Sequence, residues 1–142
     1  MRHARRLALE IMSEVVAVAQ AANVRLEKVS GTLDLEWIAL TDAERGHGSM
    51  ALAAKHAMLL AVGLRYRRLR RSMLRAIEAG KPPAIDFLNG EVVRHGRKHE
   101  IDVPLNRLVC DRVWAISRGE IEAGPALVEQ LFAETRSIGR MP

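Results

Sequence analysis

A chain of 142 residues with 49% hydrophobic and only 4% aromatic content is long enough for one domain with an aliphatic core of Leu, Val, Ile, Ala and Met. That apolar fraction excludes a disordered chain, and no run is both long and uncharged enough to cross a bilayer, so no membrane association is expected. A net charge of +5 leaves an acidic partner open, while the single Cys110 cannot form an internal disulfide and reads as a small core residue.

The basic start, Arg2-His3-Ala4-Arg5-Arg6, imitates the head of a signal peptide. Glu10 and Glu14 interrupt what would be its apolar segment and no cleavage site follows, so the chain reads as cytoplasmic. Leu7, Ile11, Val15 (or Glu14 beside it), Val18 and Ala22 recur at helical spacing and predict an amphipathic helix over 3–22. Asn23 takes the left-handed conformation that ends it, and Glu10 and Glu14 are expected on its wet side.

Residues 27–48 carry the least pattern. Gly31-Thr32 suggests a turn, and Leu33, Leu35, Trp37, Ile38 and Leu40 a short helix or an irregular apolar lid. Gly46-His47-Gly48-Ser49-Met50-Ala51 has the letters of a dinucleotide-binding turn, but that fingerprint needs a buried strand before it and 41–45 is no strand. A plain loop with Ser49 as N-cap is the reading, with no cofactor bound. A helix follows over 50–64, on which Lys55-His56 reads as a solvated pair. Next come Arg65, Arg67, Arg68, Arg70, Arg71 and Arg75, three of which share a face at i,i+4 spacing. They repel one another unless something acidic covers them: an internal carboxylate, a partner chain, a phosphate-bearing ligand or nucleic acid.

From 72 to 106 two helices and their joint can be drawn. Tyr66, Leu69, Met73 and Ile77 fall on one face, with Ser72 at an N-cap or first-turn position. Gly80 stops that helix, Pro82-Pro83 forbids its continuation, and Pro83 opens the next with Ile85, Leu88 and Val92 as the buried stripe. Gly90 inside it costs roughly 1 kcal/mol against alanine and implies another backbone close by. Glu91, His95 and His99 at i,i+4 spacing could face one zinc ion, but Arg94, Arg97 and Lys98 crowd them, and a wet helix face without metal is expected. Pro104 opens a helix through Leu105, Leu108, Val113 and Ile116 to a stop at Gly119, and Pro125 opens a last one through Leu127, Leu131 and Phe132.

Ser72-Met73, Gly80-Lys81, Pro82-Pro83-Ala84-Ile85-Asp86, Asn89-Gly90 and Pro104-Leu105-Asn106 stand in the order and spacing of a known signature. The chain resembles the carboxy-terminal domain of the ketopantoate reductase (2-dehydropantoate 2-reductase) family, clearly over 71–119 and more weakly over the first helix. The resemblance implies an all-α bundle like the 6-phosphogluconate dehydrogenase carboxy-terminal domain, with five to seven helices and Ile85, Leu88, Val92, Leu108, Val113 and Ile116 buried. It also implies one helical domain over 1–142 and a role in pantothenate biosynthesis.

In that family an amino-terminal Rossmann domain binds NADPH, hydride passes to a 2-keto acid in the interdomain cleft, and a lysine protonates the developing alkoxide. The lysine and its neighbouring asparagines lie on a helix that would precede Met1. The chain is therefore expected to lack the Rossmann domain, to hold no NADPH and to be inactive alone. The family's substrate-binding serine falls on Ser72; Ala84, Asp86 and Asn89 are candidate cleft residues. Ala84 stands where the family has a glutamate and Ala76 where it has an aspartate, which puts ketopantoate itself in question as substrate.

Two other readings stand beside the reductase domain: a stand-alone, non-catalytic module for dimerisation or small-acid binding, and a basic nucleic-acid-binding module using the 65–75 face. No aromatic interleaving supports the last. A homodimer is expected, covering the first helix (Leu7, Ile11, Val18) and the apolar lid.

Overall fold

The computed structural model describes residues 2–28, 34–46, 49–65 and 71–138. Among them the chain is all-α, with no strand: α1 (Arg2–Ala21), α2 (Leu35–Ile38), α3 (Asp42–Gly46), α4 (Met50–Arg65), α5 (Arg71–Glu78), a 3-10 turn (Ala84–Phe87), α6 (Asn89–Lys98), α7 (Pro104–Ser117) and α8 (Pro125–Ile138). The eight α-helices among the described residues exceed the five to seven expected, because the 35–46 segment forms two short ones. No helix of the described residues is long and apolar enough to cross a membrane.

Helix α1 is the hub. It packs against α2, α4, α6, α7 and α8, so its burial is not confined to one stripe: Leu7, Leu9, Ser13, Val16 and Val18 are all buried. Leu7 and Val18, expected in an exposed dimer face, therefore lie in the chain's own core. Of the two forms expected for the next stretch, the structure has the short helix, α2, closed onto the core. Asp34 caps α2 by accepting the Trp37 N–H (3.0 Å), and Ile38 and Leu40 turn inward onto Leu9, with Leu52, Met58 and Leu59 around them. Burying such a side chain contributes roughly 1.5–3 kcal/mol, more than an exposed lid would gain alone. Trp37 stays half exposed, and Leu33 lies outside the described residues.

The polar residues of α1 terminate its neighbours. Arg6 donates to the Glu44 and Arg45 carbonyls (3.0 and 3.3 Å), closing the end of α3. Ser13 Oγ donates to the Leu9 carbonyl (2.8 Å) and accepts the Leu40 N–H (2.7 Å), which seats the chain leaving α2. Glu10 and Glu14 are not on a wet face. Glu10 is paired with Arg6 at 3.0 Å and Arg45 at 3.5 Å, and Glu14 reaches inward to α7. Lys55, expected in solvent, is buried between the Glu44 carboxylate (2.6 Å) and the Ala39 carbonyl (2.7 Å), because the short helices fold over α4. That bond and the Thr41 N–H hold the Glu44 carboxyl below the usual carboxylate range.

Four helices, α1, α5, α6 and α7, end in one pattern. At Asn23 (φ 54°), Gly80 (φ 67°), Glu100 (φ 58°) and Gly119 (φ 72°) the chain turns left-handed, and the next residue's N–H returns to a carbonyl of the last turn. Ser49 caps α4 through the Leu52 N–H (3.0 Å), and Pro104 and Pro125 open α7 and α8 as expected.

Candidate functional site

The joint between α5 and α6 is not one helix opened by Pro83. Pro83 is extended (φ −69°, ψ 144°) and buried, residues 84–87 form the 3-10 turn, and Leu88 (φ −112°, ψ −90°) breaks the path before α6. Ile85 anchors the turn at 3% exposure. The break swings Leu88 outward to 57% exposure, against the expected burial, and leaves Phe87 82% exposed beside it. Val92, Leu108, Val113 and Ile116 are half-buried.

Ser72 lies exposed in the first turn of α5, and Ala84 exposed on the 3-10 turn; both elements pack on α7. Asp86 accepts a hydrogen bond from Trp114 Nε1 on α7 (2.9 Å), which ties the turn to that helix. Asn89, half-buried at the start of α6, donates its amide to Asn106 Oδ1 (2.9 Å). The two asparagines of the Asn-Gly and Pro-x-Asn elements thus grip each other.

Asn106 is fully buried, and its own amide donates to Glu14 Oε2 (2.6 Å) and the Ile11 carbonyl (3.3 Å). The same carboxylate accepts the Leu105 and Asn106 backbone N–H groups, both at 2.9 Å. Those are first-turn donors of α7 that no side chain at its N-cap, Val103, satisfies. Glu14 of α1 is therefore the cap of α7, placed where the helix dipole favours negative charge. Burial pushes its carboxyl above the ordinary value, against the opposing pull of those three donors. A chain Asn89–Asn106–Glu14 runs from the candidate cleft into the core.

Beyond Glu14 opens a cavity of about 880 Å³, lined by α1, α4, α8, Arg45 of α3 and the 102–105 segment. Ser72, Ala84, Asp86 and Asn89 do not line it.

Other expected features divide. Residues 42–46, ahead of the Gly46–Gly48 letters, form the helix α3, not the strand that a dinucleotide turn requires; His47 and Gly48 lie outside the described residues. Arg67, Arg68 and Arg70 of the arginine run also lie outside them, and Arg75 is exposed. Glu91 is engaged by Arg94 (3.0 Å), and the His95 and His99 rings stack 6.3 Å apart. No group of three His, Cys, Asp or Glu among the described residues is arranged to hold a metal ion. Cys110 is half-buried and its thiol pKa is raised by that burial. Sequence reasoning missed Glu14 and Gly96. An ideal Cβ on Gly96 would stand 2.8 Å from the Ile101 carbonyl oxygen and 3.0 Å from Val103, so the close backbone approach expected at Gly90 occurs here instead. At Gly90 the nearest atom, Asp86 Cβ, is at an ordinary 3.4 Å.

An all-helical domain whose motif residues stitch its first helix to a later helix pair is the class that the fold and site define. The family model described as "Ketopantoate reductase PanE/ApbA C terminal" matches residues 1–117, most of the chain, including the 27–65 segment that shows no motif. The chain belongs to the ketopantoate reductase family through this carboxy-terminal domain. No curated protein and no solved structure matches it.

Proposed function

We propose that residues 1–142 act as the substrate-binding and dimerisation half of a ketopantoate reductase-like, NADPH-dependent oxidoreductase that converts a 2-keto acid to a 2-hydroxy acid. The family match across the 72–106 elements carries this reading. In it, the Rossmann domain that binds the nucleotide and the helix that carries the proton-donating lysine both lie outside these residues. Ser72 offers its hydroxyl to the acid, and the exposed Phe87–Leu88 step flanks the same cleft and is the apolar edge available for self-association.

Ala84 shapes the substrate range. No carboxylate stands at that position, and the nearby Asp86 carboxylate is already bonded to Trp114, so it is poorly placed to substitute. The substrate is then a small 2-keto acid whose hydroxyl, if it has one, is not oriented by an acidic partner at 84. The same alanine favours the second reading, a non-catalytic module that retains small-acid binding and self-association.

Calorimetric titration with ketopantoate and with 2-ketoisovalerate tests the proposal. We expect both acids to bind with similar, weak affinity and Ser72→Ala to abolish the heat. Binding that survives Ser72→Ala, or no binding of either acid, contradicts it.

A further inference from the structure

The cavity beside α1 has a charge balance that the fold leaves open. Its volume of about 880 Å³ is that of a small-molecule site. Three carboxylates line it, and each is already engaged: Glu10 by Arg6 and Arg45, Asp102 by Arg107 at 3.7 Å, and Glu14 by the backbone of α7. Arg2 and Arg136, on α1 and α8, line the same space, and neither forms an ion pair among the described residues. His56, whose ring lines the cavity on α4, has a buried Nδ1 without a hydrogen-bond partner, and so has the Nε of Arg5, which acts on that ring electrostatically from outside the lining.

The surroundings sharpen this imbalance. The first turn of α1 carries no acidic residue, so Arg2 and Arg5 sit at the helix end where the dipole disfavours positive charge. Arg5, Arg6 and Arg2 also contribute to depressing the His56 pKa, after the larger effect of burial, which records the positive field at that ring. Apolar groups complete the wall: Leu7, Leu52 and Phe132, the last stacked on His3 with ring centroids 4.3 Å apart. Cations without counter-charge and a partly apolar lining fit an organic anion better than an inorganic ion or a bare hydrocarbon.

We infer that this cavity binds a small phosphate monoester, its phosphate between Arg2 and Arg136 with His56 alongside, and its carbon part against Leu52 and Phe132. Two guanidinium groups offer forked donors that match a phosphate's oxygens. This site does not use Ser72, and it stands or falls separately from acid binding at the candidate cleft.

The test is a titration of the whole chain with phenyl phosphate and with inorganic phosphate, followed by calorimetry and by the Phe132 and His56 ring resonances. One-to-one saturation is expected, tighter for phenyl phosphate, with both rings perturbed. Arg2→Gln/Arg136→Gln should weaken binding by about tenfold or more, since two charge-assisted contacts are lost. Both arginines are exposed, so circular dichroism should show an intact helical fold. Ser72→Ala and Lys98→Gln should bind as the parent does. No saturation by about 10 mM, a range that would still show a very weak site, overturns the inference. So does equal binding by the double variant, and so does binding of a DNA oligonucleotide with neither phosphate probe perturbing Phe132 or His56.

Discussion

Glu14 shows how one side chain can be misplaced by local pattern. Spacing on α1 puts it beside Glu10 on a polar face, and charged residues on amphipathic helices are ordinarily solvated. What draws it inward is a pair of backbone N–H groups 91 and 92 positions further on, where Pro104 opens α7 and no side chain at the N-cap satisfies the first turn. No local window contains that information. Glu14→Gln leaves one acceptor where two were used and points an amide donor at other donors, so a loss of about 2 kcal/mol is expected in urea unfolding. The pH dependence has a definite sign. Because the folded carboxyl holds its proton more tightly than the unfolded one, stability should fall as pH rises from the unfolded value, near 4.5, through the folded value. Glu14→Gln should remove that part of the slope. An unchanged slope would contradict the burial of this carboxyl, and a variant as stable as the parent would show that the carboxylate does not cap α7.

At the scale of elements, helix starts and stops are the most legible part of the chain. Asn23, Gly80 and Gly119 are residues that tolerate a left-handed backbone, and Pro104 and Pro125 favour first turns, so letters and geometry agree. The end of α6 is illegible because a glutamate, Glu100, occupies the left-handed position there. The two glycines of α6 are similarly ambiguous in sequence and opposite in structure. Gly96→Ala drives a methyl against the Ile101 carbonyl oxygen at 2.8 Å and should cost about 1–3 kcal/mol. Gly90→Ala meets only ordinary contacts and should gain up to about 1 kcal/mol from helix propensity. Thermal melts of the two variants check both signs, and the reverse order would mean that the α6–α7 connection packs differently. The candidate cleft is legible as a motif but not as a joint. The letters align Ser72, Asp86, Asn89 and Asn106, while the break at Leu88 and the Asn89–Asn106 bond arise from packing between α6, α7 and α1.

For the whole molecule, the all-α architecture follows from aliphatic periodicity and the lack of strand signals, and the family assignment from motif spacing. The surface did not follow as simply. Both segments expected to face a second chain, α1 and the 35–40 stretch, close onto Leu9 and form the core. The proposed homodimer therefore has to use what remains exposed, of which Phe87 and Leu88 are the adjacent pair. Sedimentation at micromolar concentration should show a dimer, and Phe87→Ser/Leu88→Ser a monomer of unchanged helicity. A monomeric parent protein would remove self-association from the account without touching acid binding.

The central claim is that residues 1–142 supply the acid-binding half of a reductase and neither its nucleotide site nor its proton donor. Steady-state oxidation of NADPH by the purified 142-residue protein, with ketopantoate and 2-ketoisovalerate as acceptors, tests it most directly. The account predicts a rate equal to the blank with either acid; turnover above the blank that rises with protein concentration would contradict it.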